Sequence, residues 1–239
     1  MKYLFLLIFL LFTGCSTKFN EPLPVAENPQ DVELILRGVD DPIEPFNRTM
    51  FSLNKGMFEY GVYPLTKGYN YVMPNQARTG IKHFYKNLLY PLRVVNNLFQ
   101  AQWDEAWVET KRFGINTTVG ILGFSDPATD KYGIKLYDED LGLTLGHYGW
   151  EPQMYLFLPF LGGSSERDAI GFVGDMFLDP AHYFFPAGPA LKFNDLSFVA
   201  DNIHQVLSQE YDPYELMHLI YSVQRRAPQY AMSFESEPE

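Results

Sequence analysis

From Asp41 onward, apolar residues recur at helical spacing in one segment after another, and this periodicity restricts the chain to a largely helical fold. In the first segment Ile43, Phe46, Met50, Leu53 and Met57 share a face broadened by Phe51 and Phe58, while Glu44, Arg48, Ser52, Lys55 and Glu59 share the opposite one. Its start is signalled by Asp41-Pro42-Ile43-Glu44, which offers an N-cap, a proline at the first helical position and a glutamate to close a capping box. Pro45 lacks an N–H for an early helical bond and so also allows a start at Glu44. Ala77, Ile81, Phe84, Tyr85 and Leu88, set against Arg78, Lys82 and Lys86, repeat the pattern, and Leu92, Val95, Leu98 and Phe99 resume it after Pro91. Trp103, Ala106, Trp107 and Thr110 share the next face, with Glu105, Glu109 and Arg112 elsewhere on that segment. Ser165 is placed to cap a helix carrying Ala169, Phe172, Val173, Met176 and Phe177. Leu196, Val199, Ile203, Val206 and Leu207 form a later stripe, and Asp212-Pro213-Tyr214-Glu215 repeats the Asp-Pro-x-Glu start before Leu216, Leu219, Ile220 and Val223.

Between Thr117 and Gly163 the periodicity fails, and glycines at 120, 123, 133, 142, 146, 149, 162 and 163 mark a loop or hairpin region. Glycine there serves turns or close backbone approach. The expected fold is all-α with one glycine-rich loop or hairpin insertion.

The N-terminus has its own logic. Met1-Lys2, the apolar run Tyr3 to Phe12 and Thr13-Gly14-Cys15 form the charged, apolar and small-residue parts of a cleavable signal peptide. That run spans about 15 Å as helix, whereas crossing a bilayer takes roughly 20 residues. Thr13-Gly14-Cys15 resembles a lipobox, with Phe12 where leucine is usual, so Cys15 is the expected acylation site, carrying palmitate among its chains. Cys15 is the only cysteine, which leaves no disulfide for it to serve. Several acyl chains anchor stably where one binds marginally. Ser16 in place of aspartate favours the outer membrane, by resemblance to enterobacterial sorting. Residues 1–14 are thus expected to be cleaved, 15–40 to form a lipidated tether carrying Pro22, Pro24 and Pro29, 41–228 the helical domain, and 229–239 an acidic disordered tail.

A net charge of −11, one unit more negative once Lys2 is removed, excludes a nucleic-acid partner and argues against docking on anionic lipid through a basic patch. Membrane contact must then come from the anchor and from apolar surface. The 16 Tyr and 3 Trp suit membrane interfaces, where a ring is half apolar and half wet.

Signals for chemistry are weak. The histidines at 83, 147, 182, 204 and 218 never fall in an i, i+4 pair, and no cofactor or metal site is expected. Gly162-Gly163-Ser164-Ser165 is no nucleophile elbow. Asp138, Glu139 and Asp140 near His147 read as a solvated turn, and Gly142 to Gly149 lacks the residues of a phosphate-binding loop. The chain reads as a non-enzyme; a lipid hydrolase using Ser164, Ser165 and His147, or a structural envelope lipoprotein, are the alternatives.

Four segments read together resemble the MlaA/VacJ family of outer-membrane lipoproteins: Asp41 to Phe51, Arg112 to Gly120, Thr144 to Gly149, and Leu158 to Asp168. The resemblance runs from about Asp41 to Pro228 and departs from the family pattern at Trp150-Glu151-Pro152-Gln153. It implies a ring of amphipathic helices around an amphipathic channel, embedded in the periplasmic leaflet of the outer membrane. It also implies association with a trimeric porin and transfer of mislocalised phospholipid to a soluble periplasmic carrier, so that outer-membrane lipid asymmetry is kept. Phe46, Asn47, Phe51 and Asn54 are the residues expected near the lipid path or its gate, because amides beside aromatics suit an amphipathic ligand.

Overall fold

The computed structural model describes residues 38–184 and 186–235; Cys15, the expected signal peptide and nearly all of the tether lie outside the described residues. Helix α1 (Glu44–Met57) runs through a π-helical turn (Phe58–Val62) into α2 (Tyr63–Val72). The extra residue of a π turn shifts the helix face, and here both Phe58 and Val62 reach the core. Then come α3 (Asn75–Leu88), α4 (Tyr90–Phe99), α5 (Trp103–Thr118), the short α6 (Pro127–Asp130) and α7 (Leu141–His147). A hairpin of β1 (Tyr155–Leu158) and β2 (Gly162–Ser165) leads into α8 (Glu166–Asp175), a 3-10 turn (Pro180–Tyr183), α9 (Ala187–Gln209) and α10 (Pro213–Glu235). The all-α expectation with a glycine-rich hairpin holds.

Several starts are where the sequence places them. Ser165 accepts a hydrogen bond from Asp168 N–H (3.2 Å) at the head of α8, and Asp212 accepts from Tyr214 and Glu215 N–H (3.2 and 3.3 Å) at the head of α10. At α1 the later of the two starts, Glu44, is the one used. Asp41 caps nothing; it accepts instead from Asn47 Nδ2 (2.7 Å) and from the Tyr214 hydroxyl. The tail assignment needs correcting, since α10 continues to Glu235 and part of 229–239 is helical. Pro228 removes one backbone bond, which is not enough to end a helix already about four turns long.

The apolar core gathers Val39, Phe51, Phe58, Val62, Tyr155, Phe157, Ala200, Leu207, Tyr214 and Tyr221, so it lies between α1, the hairpin, α9 and α10. Two asparagines dock α1 onto β1. Asn47 Nδ2 donates to the Tyr155 carbonyl (2.9 Å) while its Oδ1 accepts from Phe157 N–H (2.8 Å); Asn54 Nδ2 donates to the Leu158 carbonyl (3.0 Å) and its Oδ1 accepts from Phe160 N–H (2.8 Å). Seven helical residues rise about 10.5 Å and three strand residues about 10 Å, so amides two turns apart meet matching groups along a strand. Between them Phe51 packs edge-on against Phe157 (5.4 Å) and Tyr214 (5.7 Å). Asn47→Ala would strand a buried carbonyl and a buried N–H. We expect it to cost about 2–4 kcal/mol in denaturant unfolding, with Asn54→Ala costing less because that site is only part-buried.

Candidate functional site: a polar interior behind an apolar outer face

Helices α4, α5 and α8 have their polarity reversed. On α5 the exposed stripe is Trp103 and Trp107, 68% and 59% accessible, whereas Glu109, Arg112 and Asn116 are buried on the other face. On α8, Ile170 and Val173 are exposed, as is Phe177 just beyond its end, while Arg167 and Asp168 are buried, and on α4 Leu98 and Phe99 lie outside with Arg93, Asn96 and Asn97 inside. The turn after α5 adds exposed Val119, Ile121 and Leu122, the last two held at φ 54° and 58°. A β-branched residue in that left-handed region is strained. Aqueous proteins bury charge rarely and expose contiguous apolar faces rarely; this chain does both.

The interior charges form two networks. In the first, Glu109 Oε2 accepts from Arg93 Nε (2.7 Å) and its Oε1 from Tyr137 N–H (2.8 Å). Arg112 stands 3.8 Å from the same carboxylate and donates to both Asp126 oxygens (3.1 and 3.0 Å), with Asn116 Nδ2 on Asp126 as well (2.8 Å). In the second, Asp168 accepts from Arg167 Nε (2.7 Å), the Tyr221 hydroxyl (2.7 Å) and Arg225 Nε (2.8 Å), and Arg225 reaches on to Asp140 (2.7 Å). Asp175 takes Leu141 N–H (3.1 Å) and Asn96 Nδ2 (3.2 Å), and Asn96 Oδ1 accepts from Thr144, which in turn accepts from Gln100. Burial, then the neighbouring Asp140, pushes Asp175 up to about 7. Polar side chains therefore run continuously through α4, α7, α8 and α10.

Close helix contact permits this. A Cβ on Gly171 of α8 would meet the Gly142 backbone N and lie 2.8 Å from its Cα, so α7 and α8 touch backbone to backbone. The Trp150 to Gln153 segment is held to α8, because Glu166 accepts from Gln153 and Met154 N–H (2.7 and 3.0 Å).

Of the four residues expected near a lipid path, Asn47 and Phe51 are buried and the Asn54 amide is engaged at both ends, so these three belong to the joint between α1 and the hairpin. Phe46 is half exposed on the outer side of α1. Ser165 is taken up as a helix cap, and His147 packs edge-on against Tyr148 (5.3 Å) and is not a hydrogen-bond partner of either serine among the described residues. No group of three metal-ligating side chains occurs among the described residues, and none of their helices is long and apolar enough to cross a membrane. Sequence reasoning missed the buried networks. The signal for the first was present, since Glu109, Arg112 and Asn116 recur at i, i+3 and i+7 opposite the tryptophans.

The fold and its interior define a class: a helical protein with apolar faces turned outward around a polar, ion-paired interior, closed on one side by a hairpin. The chain belongs to the MlaA lipoprotein family, whose model matches residues 39–228. It is 31% identical over 222 residues to the intermembrane phospholipid transport system lipoprotein MlaA of Haemophilus influenzae, covering 87% of this chain and 82% of that one. It is also 37% identical over 145 residues to the Escherichia coli protein of the same description, covering 59% and 57% respectively. An uncharacterised Rickettsia conorii protein is 31% identical over 82% of this chain and 81% of its own. A solved structure reported under "Structural basis for maintenance of bacterial outer membrane lipid asymmetry" superposes with a TM-score of 0.69 at 26% identity, covering 80% of this chain and 99% of that one.

Proposed function

We propose that this chain is the outer-membrane lipoprotein of an intermembrane phospholipid transport system. In this reading it removes mislocalised phospholipid from the outer leaflet, beside a trimeric porin, and passes it to a soluble periplasmic carrier. The observation that carries the reading is the reversed polarity of α4, α5 and α8. Apolar faces turned outward suit helices lying in one leaflet, and a polar interior offers hydrogen-bond partners to a head group that hydrocarbon cannot offer. Family membership and the likeness to the H. influenzae protein support the same reading. The helices are taken to close into a ring around an amphipathic channel, anchored through acyl chains on Cys15. Phe46 is assigned to the lipid path, and the Asn47, Phe51 and Asn54 joint to setting the angle of α1 that gates it. No nucleotide site is needed, because the chain is a conduit and the energy comes from its partners.

The test is phospholipid exposed at the cell surface, read with an outer-leaflet acylation reporter in a strain lacking the gene. Exposure is expected to rise on deletion, to return to normal with the wild-type gene, and to stay high with Cys15→Ala. Unchanged exposure on deletion overturns the transport reading and leaves a structural envelope lipoprotein.

A further inference from the structure

Helix α3 carries Arg78, Lys82, His83 and Lys86 and no carboxylate, in a chain whose net charge is −11. Arg78, Lys82 and Lys86 stand at i, i+4 and i+8, so like charges are stacked on one face, an arrangement that repels and that nothing on α3 itself offsets. Elsewhere in the interior, cations are matched: Arg93 and Arg112 both reach Glu109, Arg112 also holds Asp126, and Arg225 binds Asp140 and Asp168. The α3 lysines differ. Among the described residues neither Lys82 nor Lys86 has a carboxylate within salt-bridge distance or a hydrogen-bond acceptor for its ammonium. Lys82 is half-buried with its Nζ 5.0 Å over the Phe198 ring of α9. Burial, then the neighbouring Lys86, lowers its pKa. Lys86 is exposed; with His83 it also borders a small cleft on the other side of α3, lined by Arg93, Arg112, Phe113 and Asp126.

Facing them on α9 is Asp195, near enough to feel both lysines; Asn194 hydrogen-bonds its carboxylate, yet its Oδ1 is buried without a hydrogen-bond partner among the described residues. Burial pushes this carboxyl up to about 6 despite the two ammonium groups. Where α3 meets α9, Lys82 and Lys86 thus present ammonium groups without an acceptor among the described residues, Asp195 presents one buried oxygen without a partner, and the Phe198 ring carries Arg78 (4.6 Å) as well as Lys82. A buried polar atom without a partner, here Asp195 Oδ1, needs an explanation, and a ligand is one that also answers the two ammonium groups. A ligand complementary to these groups has a phosphate for the lysines and an ammonium for the carboxylate, beside the Phe198 ring that positions Lys82.

We propose that Lys82 and Lys86 on α3, with Asp195 and Phe198 on α9, form a head-group site for a zwitterionic phospholipid, the lysines holding its phosphate and Asp195 its ammonium. The site rests on the transport reading above and adds to it a position and a preference. Lys82 and Lys86 supply charge-assisted hydrogen bonds to phosphate oxygens. Asp195 discriminates, because a head group without an ammonium leaves its buried oxygen unsatisfied beside a phosphate of like sign.

The test uses the full acylated lipoprotein in detergent micelles, titrated with spin-labelled phosphatidylethanolamine, spin-labelled phosphatidylglycerol or inorganic phosphate. Wild type is expected to favour phosphatidylethanolamine. Lys82→Gln/Lys86→Gln should weaken both lipids about tenfold or more, and Lys82→Arg/Lys86→Arg should restore binding. Asp195→Asn should abolish the preference between the lipids with little loss for phosphatidylglycerol. Melting temperatures show that each variant is folded. Equal lipid binding by wild type and the double glutamine variant overturns the site, leaving Lys82 and Asp195 as internal electrostatic partners. Phosphate displacing the lipid at equal concentration overturns the lipid assignment and makes this a site for free phosphate. Absence of lipid binding by wild type, together with unchanged surface phospholipid in the deletion strain, would mark failure of the transport reading itself.

Discussion

Replacing Glu109 with leucine is expected to destabilise the protein by about 3–5 kcal/mol, among the largest losses available to a single substitution outside the apolar core. Glu109 is wholly buried, and its carboxylate faces Arg93 at 2.7 Å, Arg112 at 3.8 Å and the Tyr137 N–H at 2.8 Å. Taking it away leaves two nearly buried guanidinium groups with less counter-charge and strands a backbone donor. Arg112 keeps Asp126, but Arg93 keeps only neutral partners such as the Lys86 carbonyl (2.7 Å) among the described residues. The matched control is Arg93→Met/Glu109→Leu, in which the charge and its counter-charge go together. A buried pair exchanged for apolar groups of similar size is often close to neutral, so the double variant should recover most of the loss. Denaturant unfolding in detergent, followed by circular dichroism, reads both. A loss under about 1 kcal/mol for Glu109→Leu is the value of a surface pair and would show that water reaches this carboxylate.

How far the sequence anticipates this depends on the range of the interaction. Helix positions follow from local spacing and capping, which is why Ser165 and Asp212 mark their helices correctly and Glu44 was already one of two starts open for α1. A π turn has no such signature, and the shift at Phe58–Val62 was invisible. Periodicity also says that a helix has two faces without saying which one is inside. On α5 the stripe of Trp103 and Trp107 would be core in a water-soluble bundle, and here it lies outside. The lipobox-like Thr13-Gly14-Cys15 is the sequence feature that points the other way.

The candidate site was less legible still. Asn47 and Asn54 stand out in the sequence as amides beside aromatics, but their partners on β1 lie more than one hundred positions along the chain, and a pairing of that range has no local trace. The same holds for Arg225 and Asp140, separated by 85 positions. Glu109 and Arg93 are closer, yet on different helices whose packing had to be known first. Residue type announces polarity at all of these places; only the fold shows that it is spent internally, and that Lys82 and Lys86 of α3 have no acceptor among the described residues.

The second large effect should appear when charge is put on the outer face. Trp107→Glu combined with Val173→Glu places carboxylates on α5 and α8, at positions 59% and 56% exposed where the reversed-polarity reading puts lipid. A carboxylate at mid-bilayer depth costs roughly 3 kcal/mol, and helices lying at the interface feel less, about 2 kcal/mol per site. Two sites together correspond to roughly a thousandfold fall in partition onto vesicles. The measurement is co-flotation with phospholipid vesicles of a form beginning at Ser16, so that acyl chains cannot hold the protein on the membrane. Gln205→Glu/Ser208→Glu, which adds the same charge at exposed polar positions of α9, is the control and should partition nearly as wild type. Added negative charge alone would move both pairs equally, whereas a lipid-facing surface moves the first and spares the second. Equal partition of the two variants would mean that the exposed tryptophans, Ile170, Val173 and Phe177 face water, and the chain would then have to be understood as a helical bundle held near the membrane by its anchor alone.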